Sequence, residues 1–592
     1  MKSVRKSLSM FRWLTSKMSK RSKLLICFAS LVSMAGGFIT SLIPKTIGSL
    51  LDAYADQRAV IVIMTTLAGL YLVNESSNVF RRLIVERITT NFTRGLTLQA
   101  AAKILHLDMD FMQQQRSGGL NSKVQSSVGG AVKLVKLFFM DLIPSFFIMV
   151  FAVGFAFYQS SFIGLVLLLI LPVNAFLIIT QLKSQRGVRV GLVRSQEEIN
   201  GMMIEMISGV EETRAAHFEE EQLAKINASA NAICDKQFRH HKGMVKFDFT
   251  KGMLKWTFHI LILGISLYMA YSGSITVGDV LTYSLLFMAS IKPIEEIHRY
   301  LDDLQETSIK ASDLQEILEE YPTDRSFSVN GTAVPAIGFP GSSAVSITGL
   351  QFRYQSAEKK SLAPLLDNVS LEVPAGDYVG IVGMSGCGKS SLIKNILRLQ
   401  TGEGKISIGG TDASTLTRSQ IAEQIVYIPQ NPFIFNGTIR DNITFGCKRQ
   451  NISDSEVFEA VAKACLTEYV QSLENGLDTM ITERGTNLSG GQRQRTSLAR
   501  VFINSEKPIV ILDEATSAMD NNTEARVYES LRATGRTIIS IAHRLNTLIS
   551  ADKIVVMADG KIVQEDSYYN LMEQPGVFSR LAEVPSEKEL VA

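Results

Sequence analysis

The chain has 592 residues, with 60 Lys and Arg against 57 Asp and Glu and a formal net charge of +3. That length holds several domains, and a charge balance so even names no class of partner. The five cysteines (Cys27, Cys234, Cys387, Cys447 and Cys465) show neither metal-ligand spacing nor a disulfide framework. Three of them lie in the second half of the chain, which suits a reducing compartment.

The distribution of charge says more than its sum. Lys2, Arg5, Lys6, Arg12, Lys17, Lys20, Arg21 and Lys23 precede the first apolar run with no acidic residue among them. Three readings are open: a cytosolic membrane-flanking segment, an acid-free, Ser-rich presequence, and a solvated basic tail. Met10, Phe11, Trp13, Leu14 and Met18 interleave with the charges, which suits an interfacial helix within residues 1–23. Cleavage of a presequence would leave nothing to lead into the first span. A secretory signal lacks its small-residue cleavage site here.

Residues 24–43 carry no charge and are long enough to cross a bilayer as a helix. Residues 59–73 are apolar and extend to about 80. Residues 137–182 hold one charge, Asp141, and are too long for one span; the polar break Tyr158-Gln159-Ser160-Ser161 makes them a hairpin of two. A fifth span is expected at 256–278, and a sixth from 280 to about 297. The connections at 81–136 and 183–255 are long and the others short. The first long one has nine basic residues against Glu86, Asp108 and Asp110, which assigns both long loops and both termini to the cytosol. Met202, Met203, Met206, Ile207 and Val210 recur at helical spacing, so the spans continue as packed helices beyond the membrane. The transmembrane domain is thus expected over 24–320.

Residues 321–344, with Pro322, Pro335, Pro340, Gly331, Gly338 and Gly341, read as a linker. A soluble α/β domain follows over 345–581, and 582–592 form a tail. The continuous apolar runs 378–382, 509–512 and 537–542 suit a parallel sheet buried on both faces.

The chemistry lies in this domain. Gly383-Met384-Ser385-Gly386-Cys387-Gly388-Lys389-Ser390 follows a predicted strand and opens a predicted helix over 390–399, the context a phosphate-binding loop requires. Its glycines let backbone N–H groups close on phosphate oxygens, helped by the dipole of the helix that starts here with Ser390 and Ser391. Lys389 is expected on the β- and γ-phosphates of ATP and Ser390 on Mg²⁺. Asp513 and Glu514 end a buried strand whose carboxyl end belongs beside that loop. Asp513 is the expected Mg²⁺ partner and Glu514 the group that polarises the attacking water; a solvated acidic strand end is the plain alternative. Leu488-Ser489-Gly490-Gly491-Gln492 opens a further predicted helix over 492–502, with backbone N–H groups again free for an anion.

This triple of motifs, in this order, resembles the ATP-binding cassette (ABC) family. The resemblance implies that Leu488–Gln492 complete the ATP site of a facing subunit. It further implies that Tyr354 stacks on adenine, that Gln430 senses Mg²⁺, and that His543 contacts the γ-phosphate. Ser517-Ala518-Met519-Asp520 matches the loop that couples the two sites, with Met519 where leucine is commoner. The membrane half is similar to exporter-type half-transporters. Residues 107–124, with Phe111, Arg116 and Gly118, and residues 209–221 resemble their two coupling regions. No cysteine-peptidase domain stands before the first span, which disfavours peptide-processing exporters of that kind.

The expected protein is therefore a helical bundle of six spans fused to a P-loop cassette, working as a dimer in a lipid bilayer, with a bacterial inner membrane as the expected setting. The intact motif set favours a homodimer and leaves a heterodimer open. Export of an amphipathic peptide, lipid or drug leads; import of a metal chelate on the same fold is the alternative. Six spans disfavour a nucleic-acid ATPase, and Glu514 disfavours a gated channel. His259, Asp141, Asn74 and Glu75 are polar residues within spans, and Glu75 and His259 are candidate substrate contacts beside a plain helix-packing role. Trp13 and Trp256 are expected to anchor at the interface.

Overall fold

The structure, a computed structural model, describes residues 2–114, 117–184, 188–324, 343–354, 364–449, 451–482, 485–542 and 544–583. The chain divides into two units: residues 1–107 with 115–322, and residues 108–114 with 323–592.

The helices up to the linker are α1 (Lys2–Lys17), α2 (Lys20–Asp52), α3 (Gln57–Leu105), α4 (Met109–Gln114), α5 (Ser117–Lys136), α6 (Ile143–Gln159), α7 (Ser161–Ser184), α8 (Val188–Ser208), α9 (Val210–Ala215), α10 (Glu219–Tyr271) and α11 (Val277–Gln315). Among the described residues six helical stretches are long and apolar enough to cross a membrane: Lys20–Asp52, Gln57–Leu105, Leu120–Gln159, Ser161–Gln181, Glu219–Tyr271 and Val277–Glu295. Large apolar side chains such as Leu72, Phe80, Phe176 and Ile260 stay exposed along them. Water would make such a surface a liability; a bilayer is its matching solvent.

Small residues set the helix crossings, as expected where lipid removes the hydrophobic drive. A Cβ on Gly48 would meet Thr282 Oγ1 at 2.0 Å and the Gly278 carbonyl at 2.4 Å, so α2 and α11 touch there through backbone. A single π-helical turn, Leu137–Leu142, joins α5 to α6 and carries Asp141. Ser160 breaks the α6–α7 hairpin where the polar tetrapeptide was expected.

Two expectations change. The fifth span ends at Tyr271, short of residue 278: Gly273 turns the chain at φ +74°, and Thr276 starts α11 with a reciprocal cap to Asp279. The N-terminal helix exists, but the protein itself takes up its apolar stripe. Leu14 is fully buried and Met10 and Met18 nearly so, in a cluster with residues of α3, α5 and α11. Phe11 stacks on Phe138 at 4.0 Å, and Trp13 donates its indole N–H to Glu319 at 2.7 Å rather than standing as an isolated interfacial anchor.

The second unit contains a six-stranded sheet in the order Lys561–Asp566, Lys553–Ala558, Tyr378–Gly383, Thr537–Ile541, Ile509–Asp513 and Ile425–Ile428. It is parallel except at the Lys561–Asp566 edge. A smaller antiparallel sheet runs Leu366–Pro374, Ser343–Phe352, Glu403–Ile408, Thr411–Asp412. Period-two alternation divides the core. Ile509 and Ile511 face the cluster shared with the antiparallel sheet; Val510 and Leu512 face the cluster shared with the helices. A strand buried on both faces reads as an unbroken apolar run for this reason.

Candidate active site at the strand ends

Three parallel strands finish level with one another. Ile541 pairs with Ile381 on one side and with Asp513 on the other. The ends are laced: the Ala542 amide donates to the Ile381 carbonyl at 3.3 Å and the Glu514 amide to the Ile541 carbonyl at 3.1 Å. Residues more than a hundred positions apart therefore converge just beyond one edge of the sheet, where open α/β sheets hold ligands.

The loop Gly383–Gly388 leaves the first of these strands. Gly383, Gly386 and Gly388 have φ of 153°, 86° and 102°, in the region that favours glycine. A Cβ on Gly383 would also lie 2.2 Å from the Met557 carbonyl and 2.8 Å from Cys387 Sγ. Gly388 starts the helix Lys389–Ile396, which ends earlier than the sequence suggested because Arg398 turns left-handed at φ 53°. Lys389 is buried, and its ammonium donates to the Gly383 and Met384 carbonyls at 2.7 and 3.1 Å. The loop is thus wrapped around its own cation, while Ser385 and Gly386 are exposed.

Ser390 Oγ donates to Asp513 Oδ1 at 3.2 Å across 123 positions of sequence. Burial raises the Asp513 carboxyl above its ordinary range, and the neighbouring Glu514 charge adds to that; the Ser390 hydroxyl, Lys394 and the Tyr427 hydroxyl oppose it. Glu514 takes a left-handed backbone, φ 51°, uncommon for a residue with a Cβ. Gln430 Nε2 donates to its Oε2 at 2.5 Å. The structure therefore brings Ser390, Asp513, Glu514 and Gln430 together. Among the described residues no cluster of three or more His, Cys, Asp or Glu could hold a metal.

Tyr354 packs edge-on to Phe352 at 5.1 Å and remains 41% exposed, so a ring face is open to stacking. Its hydroxyl lies 3.3 Å from Ser391 Oγ. Burial alone would raise this phenol; the polar side chains of Gln400 and Ser391, with the charge of Lys394, outweigh it and hold it below its ordinary value.

The helix Gly490–Ile503 opens with a reciprocal cap: Ser489 Oγ accepts from the Gln492 amide at 3.2 Å, and Gln492 Oε1 accepts from the Ser489 amide at 2.8 Å. Leu488 is buried under it. Gly491 lies against the Ser517–Asp520 loop, where a Cβ would meet the Ala518 carbonyl at 3.2 Å. Asp520 caps the next helix, Asn521–Arg532, by accepting from the Thr523 amide. His543 and Arg116 lie outside the described residues, as do linker residues 325–342 and the tail from 584.

Other residues complete the site, and the sequence reading missed them. Gln494 Nε2 donates to Ser517 Oγ at 3.0 Å, and its Oε1 accepts from the Ala518 amide at 2.9 Å. Arg544 bonds the Met519 carbonyl, Asn521 and the buried Glu524, each within 3.0 Å, and Thr516 also donates to Glu524. The visible signal was an arginine directly after His543 and an acid four positions past Asp520.

In the membrane unit His259 bonds Ser284 Oγ at 2.9 Å and stacks on Phe287 at 5.1 Å, while Glu75 is exposed on α3. Asn74 accepts from Thr40 at 3.1 Å, a contact between α3 and α2. A cavity of about 230 Å³, with Gln196, Asn200, Gln237, His240 and His241 in its lining, opens between α5, α8, α10 and α11. No sequence motif marked it.

Comparison with known proteins agrees with this geometry. The family described as ABC transporter matches residues 366–517, and ABC transporter transmembrane region matches 25–294. The chain is 30% identical over 512 residues to the ATP-dependent lipid A-core flippase of Desulfotalea psychrophila, covering 84% of this chain and 85% of the relative. It is 27% identical to the transport/processing ATP-binding protein ComA of Streptococcus pneumoniae, over 90% of this chain and 73% of that one. A solved structure of a bacterial Atm1-family ABC exporter with ATP bound superposes with a TM-score of 0.83 at 22% identity, over 95% of this chain and 99% of that one. The strand-end site, the six candidate spans and these matches together show that this chain belongs to the ABC transporter family, as a multi-pass, ATP-hydrolysing transporter subunit of exporter type.

Proposed function

We propose that two copies of this chain form an ATP-driven exporter that works by alternating access on an amphipathic substrate. The observation that carries the ATPase chemistry is that Ser390 bonds Asp513 and Gln430 bonds the adjacent Glu514. Glu514 polarises the attacking water, a role worth ~10²–10⁴ in rate. Gln430 orients that carboxylate. Lys389 moves from its own loop's carbonyls to the β- and γ-phosphates, and the N–H groups of residues 385–391 cradle them. Tyr354 stacks on the adenine. His543, by its family position, contacts the γ-phosphate.

Mg²⁺ fits this arrangement. It prefers hard oxygens, keeps several waters, and is held by one or two protein groups plus substrate phosphates. The Ser390 hydroxyl and Asp513 carboxylate offer two such oxygens, and the buried Asp513 charge calls for a cation. Gln430 is the third expected contact. When bound, the ion neutralises charge developing on the phosphates.

The dimer follows from stoichiometry. One chain offers one phosphate loop and one signature, Leu488–Gln492, so a two-fold pair completes two sites. A complete motif set favours identical chains. The relative named as an ATP-dependent lipid A-core flippase supports an amphipathic cargo. Glu514→Gln in nanodiscs is expected to bind ATP and to lose hydrolysis by at least about 10²-fold; near-normal turnover would remove Glu514 from this role. Inside-out vesicles decide direction: ATP-dependent accumulation of labelled lipid or peptide means export, and ATP-dependent loss means import.

A further inference from the structure

We infer that Gln400 is a positioning residue that joins the first coupling segment to Tyr354. This rests on the reading of Tyr354 as the adenine-stacking aromatic.

Residues 108–114 lie between α3 and α5 in the chain, yet they cluster with the second unit. Asp108 shapes this turn, its Oδ1 accepting from the Asp110 and Phe111 amides at 2.9 and 3.2 Å. Asp110 Oδ1 in turn accepts from Gln400 Nε2 at 3.2 Å. Gln400 is only 3% exposed. Its backbone is tied to the phosphate-loop helix, since the amides of Leu399 and Gln400 both donate to the Lys394 carbonyl. Asn395 reinforces that turn by donating to the Ser391 carbonyl and accepting from the Gly402 amide. The Gln400 side chain is also a polar neighbour that lowers the pKa of the Tyr354 phenol, and the Tyr354 hydroxyl lies 3.3 Å from Ser391 Oγ on the phosphate-loop helix. Asp110 and Tyr354 thus both meet the turn that Gln400 forms after the phosphate-loop helix, the one through the Gln400 amide and the other through Ser391.

A purely structural account of this glutamine is poor. Its Oε1 is buried and accepts no hydrogen bond, an unfavourable state for a polar atom. Leucine or methionine would fill the volume without that cost. What the glutamine adds is an amide that bonds Asp110 while acting on the Tyr354 phenol. A displacement of the coupling segment is felt at the base-stacking ring, and by reciprocity nucleotide occupancy is felt at the coupling segment.

Steady-state ATP hydrolysis by the full chain in nanodiscs tests this. Gln400→Ala and Asp110→Ala are each expected to raise KM for ATP about 3- to 10-fold with kcat held within about two-fold, and the double variant is expected to be no worse than either. Gln400→Glu alone sets two carboxylates against each other. Pairing it with Asp110→Asn exchanges donor and acceptor and is expected to return KM to within about two-fold of the parent. An unchanged KM in Gln400→Ala, additive single effects, or no rescue by the exchanged pair overturns the inference. Where a truncation fails to fold, the exchanged pair decides alone. Tyr354→Ala separates the two readings. If it raises KM while Gln400→Ala does not, the joint falls and the aromatic stands. If it leaves KM unchanged, both fall.

Discussion

Asp513 is the residue at which folding and function pull apart. Burial of its carboxyl outweighs the Ser390 hydroxyl and the Lys394 charge, so its folded pKa lies above the ordinary carboxylate value. The native state then binds a proton more tightly than the unfolded chain does. Stability is greatest where the group is protonated and falls as pH rises through the folded pKa. At neutral pH the protein therefore carries an ionisation cost that Asn would not. Asp513→Asn is expected to abolish hydrolysis and to raise the melting temperature of the nucleotide-free protein at pH 7.5. The gain should shrink as the pH is lowered toward the ordinary Asp range. Scanning fluorimetry in detergent at several pH values checks this, and a variant that melts lower at pH 7.5 contradicts it. Glu514 shows the same trade in its backbone. A left-handed non-glycine residue costs about 1 kcal/mol or more, held here by its amide bond to Ile541 and its side-chain bond to Gln430.

Among elements, the loop Thr516–Asp520 joins the acidic strand end to the signature helix. It is clamped from two directions: Gln494 of the signature helix grips Ser517 and Ala518, and Arg544 grips Met519 and Glu524. Glu524 is almost fully buried, its side chain 5% exposed. Removing Arg544 leaves that carboxylate without its cation, a loss of the kind that costs about 3 kcal/mol or more. Arg544→Ala should therefore destabilise the nucleotide-binding domain and lower kcat, whereas Arg544→Ala with Glu524→Gln should recover much of the stability. Chemical denaturation of the two variants distinguishes them; equal losses would show that the ion pair is not what holds the loop.

At the scale of the whole molecule, the proposed trans arrangement makes a prediction that no single chain can satisfy. Lys389→Ala removes the lysine of the phosphate loop and Gly491→Asp a glycine of the signature, so neither variant alone is expected to hydrolyse ATP. In a mixed dimer both lesions fall in one site, and the other site keeps an intact loop and an intact signature. With random pairing half of the dimers are mixed, each with one working site, so co-expressed variants should recover roughly a quarter of the parental rate. Activity no greater than that of either variant alone would mean that the signature serves its own chain's nucleotide.

Much of this was legible in the chain itself. The phosphate loop, the acidic strand end and the signature are local motifs. Their chemistry follows from residue type and spacing, and the spans are long apolar runs that little else can explain. What the chain did not disclose depends on partners distant in sequence. Asp110 meets Gln400 across 290 positions and Trp13 meets Glu319 across 306, and no periodicity encodes either pairing. The stripe Met10–Leu14–Met18 has the spacing of a surface-lying helix. Only the presence of α3, α5 and α11 beside it decides that protein rather than lipid buries it. Sequence by itself determined the class of machine and pointed to the atoms proposed for its ATP chemistry, because short-range geometry carries them. Tertiary structure alone decided which side chains hold those atoms in place, because a clamp is a contact and contacts are made by folding.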